Sequence, residues 1–264
     1  MREFFAYFFG VGSEIEFRNF TLAHFLPILV AAGIVVLIYY FRRRIVLDSK
    51  LDMGLRYFLA FVMILSEMSY YWRLAVLPEL GGNVLEHLPI TVCGWATVFA
   101  SYMVLTKSQT LFDVVYFFVF AGTIFALITP TVISYTGPTR FRFYQFWAEH
   151  TLAYFGIFYM IFVHKMRPNL RSVAKAYISL AVLAVIAYIT NVTLGPGANY
   201  LFMAEPESTP SILDILPPNF VLRLFIMILA VTALFALSYL PWFLIDRRAR
   251  KAALATAEEN TEAE

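Results

Sequence analysis

Residues 219–245 read NFVLRLFIMILAVTALFALSYLPWFLI, with Arg223 the one charge in the run. A helix needs about 20 mainly apolar residues to cross the hydrocarbon of a bilayer, and this run exceeds that. It is apolar all round, as a helix is when lipid is its solvent. Six further stretches of the same character precede it, at 20–41, 56–77, 88–105, 111–130, 146–163 and 174–194. Short breaks such as Arg42-Arg43-Arg44, Glu79-Leu80-Gly81-Gly82 and Thr136-Gly137-Pro138 separate them. Over all 264 residues, 61% are hydrophobic and 14% charged. Soluble domains carry roughly 45–50% apolar and about 25% charged residues. The expected fold is therefore all-α: a polytopic membrane protein of seven transmembrane helices. Residues 1–250 form a single membrane domain and 251–264 a solvated C-terminal tail.

Basic residues set the orientation, because Lys and Arg are retained on the cytoplasmic side. Segments 42–56, 106–110, 164–175 and 246–264 together hold fourteen of them, and the alternate segments 1–19, 78–87, 131–145 and 195–218 hold four. That bias places the N-terminus outside and the C-terminus in the cytoplasm, which requires an odd number of spans. No cleavable signal peptide is expected, since Met1–Gly10 lacks an apolar core followed by a small-residue cleavage site. Phe4, Phe5, Phe8 and Phe9 instead share one face of a short helix lying in the membrane interface. Trp72, Trp147, Tyr200 and Trp242 read as interface aromatics. Loop 195–218, with Glu205, Glu207 and Asp214, reads as a solvated connector that could also cover a cavity. The expected location is the plasma membrane, crossed many times.

Ionisable groups inside a span are costly and usually functional. Under this topology His24, Cys93, His150, Arg223, Arg73 and Asn191 all fall in the outer half of the bilayer, with His87 at the mouth of the third span and Glu67 deeper in the second. At 100° per residue, Ser66, Glu67, Tyr70 and Arg73 share one broad face. The set predicts a polar cavity open to the outer leaflet. The plainer alternative is that these groups pair and hold helices together. A single cysteine excludes an internal disulfide and a cysteine-rich metal cluster, and nothing calls for a cofactor, a metal or a nucleic-acid partner.

Cys93 lies in His87-Leu88-Pro89-Ile90-Thr91-Val92-Cys93-Gly94-Trp95, and His150 closes Trp147-Ala148-Glu149-His150 at matching depth. The thiolate is the reactive form of cysteine, so Cys93 needs a base, and a histidine at its depth can supply one. A lone cysteine in a span is also commonly a small packing residue. Glu149, at 100° from His150, is poorly placed to orient it.

These two motifs, with the order of spans, resemble the bacterial YwaF-type integral membrane proteins, a family similar to the eukaryotic seven-span ether-phospholipid acyltransferases. The resemblance implies Cys93 as nucleophile and His150 as base. Relatives often carry histidine two residues before the cysteine, where this chain has Thr91. The function so implied is acyl transfer at the outer leaflet through a thioester on Cys93, with membrane phospholipid as donor and a lysolipid as acceptor. Tyr70, Asn191 and Arg73 are candidates to stabilise the oxyanion. Arg140, Arg142 and Arg223 are candidates for the phosphate headgroup, which suits the planar guanidinium fork. Glu67 and His87 complete the expected substrate site.

Two readings compete. A transporter or solute-binding protein could use Glu67, Arg73 and His150, although Asp113 is the lone acid expected in the inner half of a span. A scaffold without chemistry is the other. A retinal receptor is excluded, because the last span has no lysine and the next is Lys251.

Overall fold

The computed structural model of the chain describes residues 2–12, 17–80, 83, 87–130, 136–203, 216–217 and 219–262. All regular structure among them is helical. The helices are α1 (Arg2–Phe9), α2 (Leu22–Leu47), α3 (Ser49–Val76), α4 (Val92–Thr106), α5 (Gln109–Ile128), α6 (Phe141–Phe162), α7 (Leu170–Leu194) and α8 (Phe220–Glu262). The N-terminal aromatic segment thus forms the short helix expected of it. Residues 204–215, with Glu205, Glu207 and Asp214, lie outside the described residues, and so does the reading of that loop as a connector or cover. The tail after residue 250 is a helical extension of α8, exposed through Thr256. Its alanines explain this, since alanine has the highest helix propensity.

Short polar caps set the helix ends. Asp48 ends α2 with its N–H on the Arg44 carbonyl and starts α3 by accepting the Lys50 and Leu51 N–H groups at 3.0 Å each. Thr91 caps α4, its Oγ1 accepting the Gly94 N–H at 3.0 Å, and Lys107 closes α4 in the left-handed region at φ 54°. Ser108 then opens α5. Within α5 the backbone widens into a π-helical turn over Phe118–Thr123, a device frequent at functional sites. The Val119 carbonyl in that turn accepts the Thr123 hydroxyl at 2.7 Å and the Tyr154 hydroxyl at 3.0 Å.

α3, α4 and α6 pack on one another around Met63, Ala100, Met103, Ala153 and Met160. α5 packs against α4 and α7, α8 lies on its π turn, and α2 runs along α6. The outer faces are not polar. Leu29, Val36, Ile178 and Leu237 remain exposed on α2, α7 and α8. Helices with satisfied backbones that turn apolar side chains outward are what a bilayer demands.

Among the described residues, four helices are long and apolar enough to cross a membrane, namely α2, α5, α7 and α8, and α4 is a shorter apolar helix. α3 and α6, of 28 and 22 residues, have the length but carry polar groups turned into the bundle. Trp147 and Tyr200 depart from the interface reading. Trp147 is buried among Phe143, Phe146 and His24, and Tyr200 is buried with its hydroxyl on the Leu88 N–H at 2.8 Å. Both rings complete packing where a helix end is covered by protein rather than by headgroups.

One end of the bundle is tied by a buried ionic cluster. The Asp52 carboxylate accepts from Tyr159 Oη at 2.7 Å, His164 Nε2 at 2.8 Å and Arg56 Nε at 3.1 Å, with Lys107 Nζ at 3.3 Å. Arg56 also donates to the Val104 and Leu105 carbonyls at the end of α4, at 2.9 Å each. Burial works to raise the Asp52 carboxyl, but the hydrogen bonds from Tyr159 and His164, the His164 charge and Arg56 outweigh it and hold the group at about 2, below its ordinary 3.8. Burial lowers His164 from its ordinary 6.5, against the pull of Asp52, and Lys107 and Arg56 add to the lowering. A histidine held low resists the proton that the unfolded chain accepts, so stability declines as pH drops below about 6.5. Asp52 withdraws its contribution only as pH falls from 3.8 through about 2. The thermal midpoint in detergent is therefore expected to fall between about pH 7 and pH 5, with a shallower fall in His164→Gln. Equal slopes in the two proteins count against the assignment.

Candidate functional site

The segment before α4 is held from three sides. The Asn191 amide accepts the Tyr200 N–H at 2.8 Å and donates to the Tyr200 carbonyl at 3.1 Å, and the Tyr200 hydroxyl receives the Leu88 N–H. Tyr70 Oη and His87 Nδ1 lie 2.7 Å apart. Trp95 Nε1 donates back to the Pro89 carbonyl at 3.2 Å. Asn191 and His87, two of the expected substrate groups, thus position the approach to Cys93.

Cys93 occupies the first turn of α4, a free thiol. Trp95 makes the first bond of the helix, to the Thr91 carbonyl at 3.1 Å. The N–H groups of Val92 and Cys93 therefore lie ahead of the helical ladder, at the positive end of the helix dipole. Glu149, Glu67 and Tyr154 are close enough to Cys93 to interact with it electrostatically. Gly94 makes the approach of Glu67 possible, because a Cβ there would lie 3.0 Å from Glu67 Oε1.

Glu67 is the deep end of a buried polar network. Gln145 Nε2 donates to Glu149 Oε2 at 2.9 Å and to the Ser66 carbonyl at 3.3 Å. Arg142 donates to Gln145 Oε1 and to Glu149 Oε2, the latter at 3.4 Å, and its guanidinium lies 4.6 Å from the Tyr70 ring centre. Glu67 Oε2 has no hydrogen-bond partner among the described residues. Arg142, Gln145 and Glu149 recur every three or four residues and so share one face of α6. Sequence reasoning missed Gln145 as a site residue, although its spacing from Arg142 and Glu149 carried the signal. It expected Arg142 to meet a headgroup, and the structure turns it inward onto the Gln145 amide oxygen and the Glu149 carboxylate.

His150 lies one residue beyond Glu149, beside α4, where Thr97 Oγ1 donates to the Glu149 carbonyl at 3.2 Å. No hydrogen bond joins His150 to Cys93 among the described residues. His150 Nδ1 is 2.8 Å from the Phe146 carbonyl, which only accepts, so Nδ1 carries the proton and a neutral ring keeps its lone pair on Nε2. By the same reasoning His24 donates Nε2–H to the Leu127 carbonyl at 2.8 Å and accepts the Phe20 N–H on Nδ1 at 2.9 Å. Nε2 thus joins α2 to the end of α5, and Nδ1 holds the turn that leads into α2.

Two arginines expected at a headgroup are buried as fasteners. Arg140 donates to the Tyr7 and Val11 carbonyls, the second at 3.0 Å, and covers the Tyr7 ring. Arg223 donates to the Pro217 carbonyl at 3.1 Å. Arg73 lines a cavity of about 1040 Å³ between α1, α3 and α6, together with Ser66 and Gln145. Cys93, His150 and Glu67 do not line it. Gln145 stands between the cavity and the carboxylates that flank Cys93.

Residues 19–239, which hold Cys93, His150 and the polar network of α6, match the TMEM164 family model. The chain belongs to the TMEM164 family. It is thus a member of a transmembrane protein family, in agreement with its outward apolar faces. No curated protein and no solved structure matches it. Among the described residues no group of three His, Cys, Asp or Glu side chains is gathered to hold a metal ion.

The π turn of this TMEM164-family chain supports the site directly. A Cβ on Gly122 would lie 2.7 Å from Val92 Cγ1, next to Cys93. Val92 is branched at Cβ and has no flexible end to move aside. Gly122→Ala is expected to displace the first turn of α4 and destabilise by about 1–3 kcal/mol, read as a lower thermal midpoint. Gly33→Ala, where nothing lies within 4 Å, is expected to leave the midpoint unchanged or raise it. Equal effects of the two substitutions would refute the close contact.

Proposed function

We propose that this protein is a membrane-embedded cysteine acyltransferase acting on phospholipid or lysophospholipid. The observation that carries the reading is that two contacting helices hold a first-turn cysteine, on α4, and a histidine, on α6, whose Nδ1 lies 2.8 Å from the Phe146 carbonyl and whose Nε2 is thereby left to accept a proton. Cys93 Sγ attacks an ester carbonyl of the donor phospholipid while His150 Nε2 takes the thiol proton. The ester C–O bond breaks, His150 returns the proton to the departing glycerol oxygen, and a lysolipid leaves behind a thioester on Cys93. A lysolipid hydroxyl then gives its proton to His150 and attacks the thioester, and the thiol is restored. One residue acts as base and then acid in each half. The N–H groups of Val92 and Cys93 suit the oxyanion, because the Asn191 amide is engaged with Tyr200.

The same reading takes seven spans, α2 to α8, with the N-terminus outside, the C-terminus in the cytoplasm and the site in the outer leaflet of the plasma membrane. The basic segments support that orientation. So does the grouping of helix ends, with Asp52, Arg56, Lys107 and His164 gathered at one end and Tyr70, His87, Leu88 and Tyr200 meeting near Cys93.

The test is acyl exchange in vesicles holding the purified protein, a phosphatidylcholine with a labelled chain and an unlabelled lysolipid. Wild type is expected to move label into the lysolipid pool. Cys93→Ser is expected to lose the transfer. A Cys93→Ser protein that transfers label at the wild-type rate refutes the mechanism.

A further inference from the structure

The cavity between α1, α3 and α6 has a shape and lining of its own. Its volume of about 1040 Å³ stands at the upper limit of the roughly 300–1,000 Å³ usual for small-molecule sites. Most of its wall is hydrocarbon, including Phe5 and Phe9 from α1, Val62 and Leu65 from α3, and Ala148 from α6. Leu65 and Trp72 on its flank are exposed, so it opens sideways, toward the lipid rather than along the bundle.

Polar groups on the wall are left incomplete. Ser66 Oγ and Arg73 Nε are buried without a hydrogen-bond partner among the described residues. Among the described residues Arg73 makes one long bond, from Nη1 to the Phe9 carbonyl at 3.4 Å, and its guanidinium lies 5.4 Å from the Tyr70 ring centre. A buried donor without an acceptor is costly, the more so on a charged group. The roof is α1, fastened by Arg140 to the Tyr7 and Val11 carbonyls and by a 3.2 Å contact between the Tyr7 and Thr139 hydroxyls. An apolar channel open to the bilayer, with a guanidinium short of an acceptor, matches an amphiphile with a hydrocarbon chain and an anionic head.

We propose that this cavity seats one phospholipid molecule, which enters from the bilayer beneath α1 with an acyl chain along Val62, Leu65 and Ala148 and its phosphate at Arg73. The proposal rests on the acyltransferase reading only in making that lipid the reactant. Its ester then lies near Ser66 and Gln145, and the Gln145 amide must turn aside before Cys93 can reach the carbonyl. Lipid occupancy itself requires no chemistry at Cys93.

The experiment uses Cys93→Ala protein in phosphatidylcholine vesicles doped with a phosphatidylcholine bearing a diazirine in its acyl chain. After illumination the adducts are mapped by peptide mass spectrometry. Adducts are expected to concentrate on the peptides of Phe5–Phe9, Val62–Leu65 and Ala148. Ala148→Trp, which fills the cavity, is expected to remove them, and Ser69→Trp fills it from α3 if the first variant does not fold. Arg73→Leu is expected to lower them by about tenfold, as for loss of one charge-assisted contact. Excess inorganic phosphate is expected to change nothing, whereas competition by it makes this an anion site and overturns the proposal. Adducts spread evenly over α2, α7 and α8 and indifferent to the tryptophans also overturn it, as contact with bulk lipid. Wild type that acylates Cys93 without cavity labelling refutes the cavity alone. Cavity labelling without acyl transfer in wild type refutes the chemistry alone.

Discussion

His150→Ala is expected to lower the rate of acyl transfer by about 10²–10⁴-fold, the usual worth of a positioned general base or acid. The expectation follows from the ring's fixed tautomer. Its Nδ1–H is committed to the Phe146 carbonyl, and the Phe146 ring lies against it at 4.2 Å between centres, which fixes its orientation as well. Because the same nitrogen serves both halves of the cycle, formation and breakdown of the thioester slow together. The Michaelis constant for the lipid is expected to change little, since His150 does not line the cavity. Initial rates in vesicles at several lipid fractions separate the two parameters. A loss below about tenfold moves the base to Glu149 or Glu67, the carboxylates that flank Cys93.

Asp52→Ala is expected to destabilise the fold by about 3–5 kcal/mol, as for a buried ion pair that loses one partner. Tyr159, His164, Arg56 and Lys107 all converge on that carboxylate. Without it, Arg56 remains buried on the ends of α3 and α4 with its counter-charge gone. The thermal midpoint in detergent should drop well below that of wild type. Asp52→Leu combined with Arg56→Met should recover much of the loss, because replacing both charges leaves neither uncompensated. A single Asp52→Ala variant as stable as wild type would show that the cluster does not hold the end of the bundle.

The order of helices was legible in the sequence, because apolar runs alternate with polar breaks. The run read from 88 becomes helix only at Val92, after Pro89 and the Thr91 cap, and the next helix starts at Gln109 on the Ser108 cap. The start of α3 was less legible. The apolar run begins at 56, yet the helix begins at Ser49, because Asp48 caps it and Asp52 and Arg56 neutralise one another inside the protein. Charges that end a run in hydropathy can be interior when their partners come from other helices. The π turn of α5 had no legible signal, and the Tyr154 hydroxyl that meets its Val119 carbonyl comes from another helix.

The candidate site was legible in the sequence as a list of polar residues within apolar runs, but less so as an arrangement. Glu67 and His87 fell near the Cys93 segment because alternating helix directions bring them there. Arg140 and Arg223 were read outward, toward headgroups, and are turned inward onto backbone carbonyls. Which way a long side chain turns depends on the acceptors that the fold offers it. For Arg140 these are the carbonyls of α1 and its exit, a segment more than a hundred residues away in sequence.

In the proposed cycle Cys93 carries the acyl group, and intact-protein mass spectrometry after incubation with phospholipid reads this on wild type, Cys93→Ala and His150→Ala. A hydroxylamine-labile acyl adduct is expected on wild type, absent from Cys93→Ala and slow to form on His150→Ala. Label transfer between lipids with no adduct on Cys93 in rapidly quenched wild type, or an adduct that persists in Cys93→Ala, contradicts the cycle.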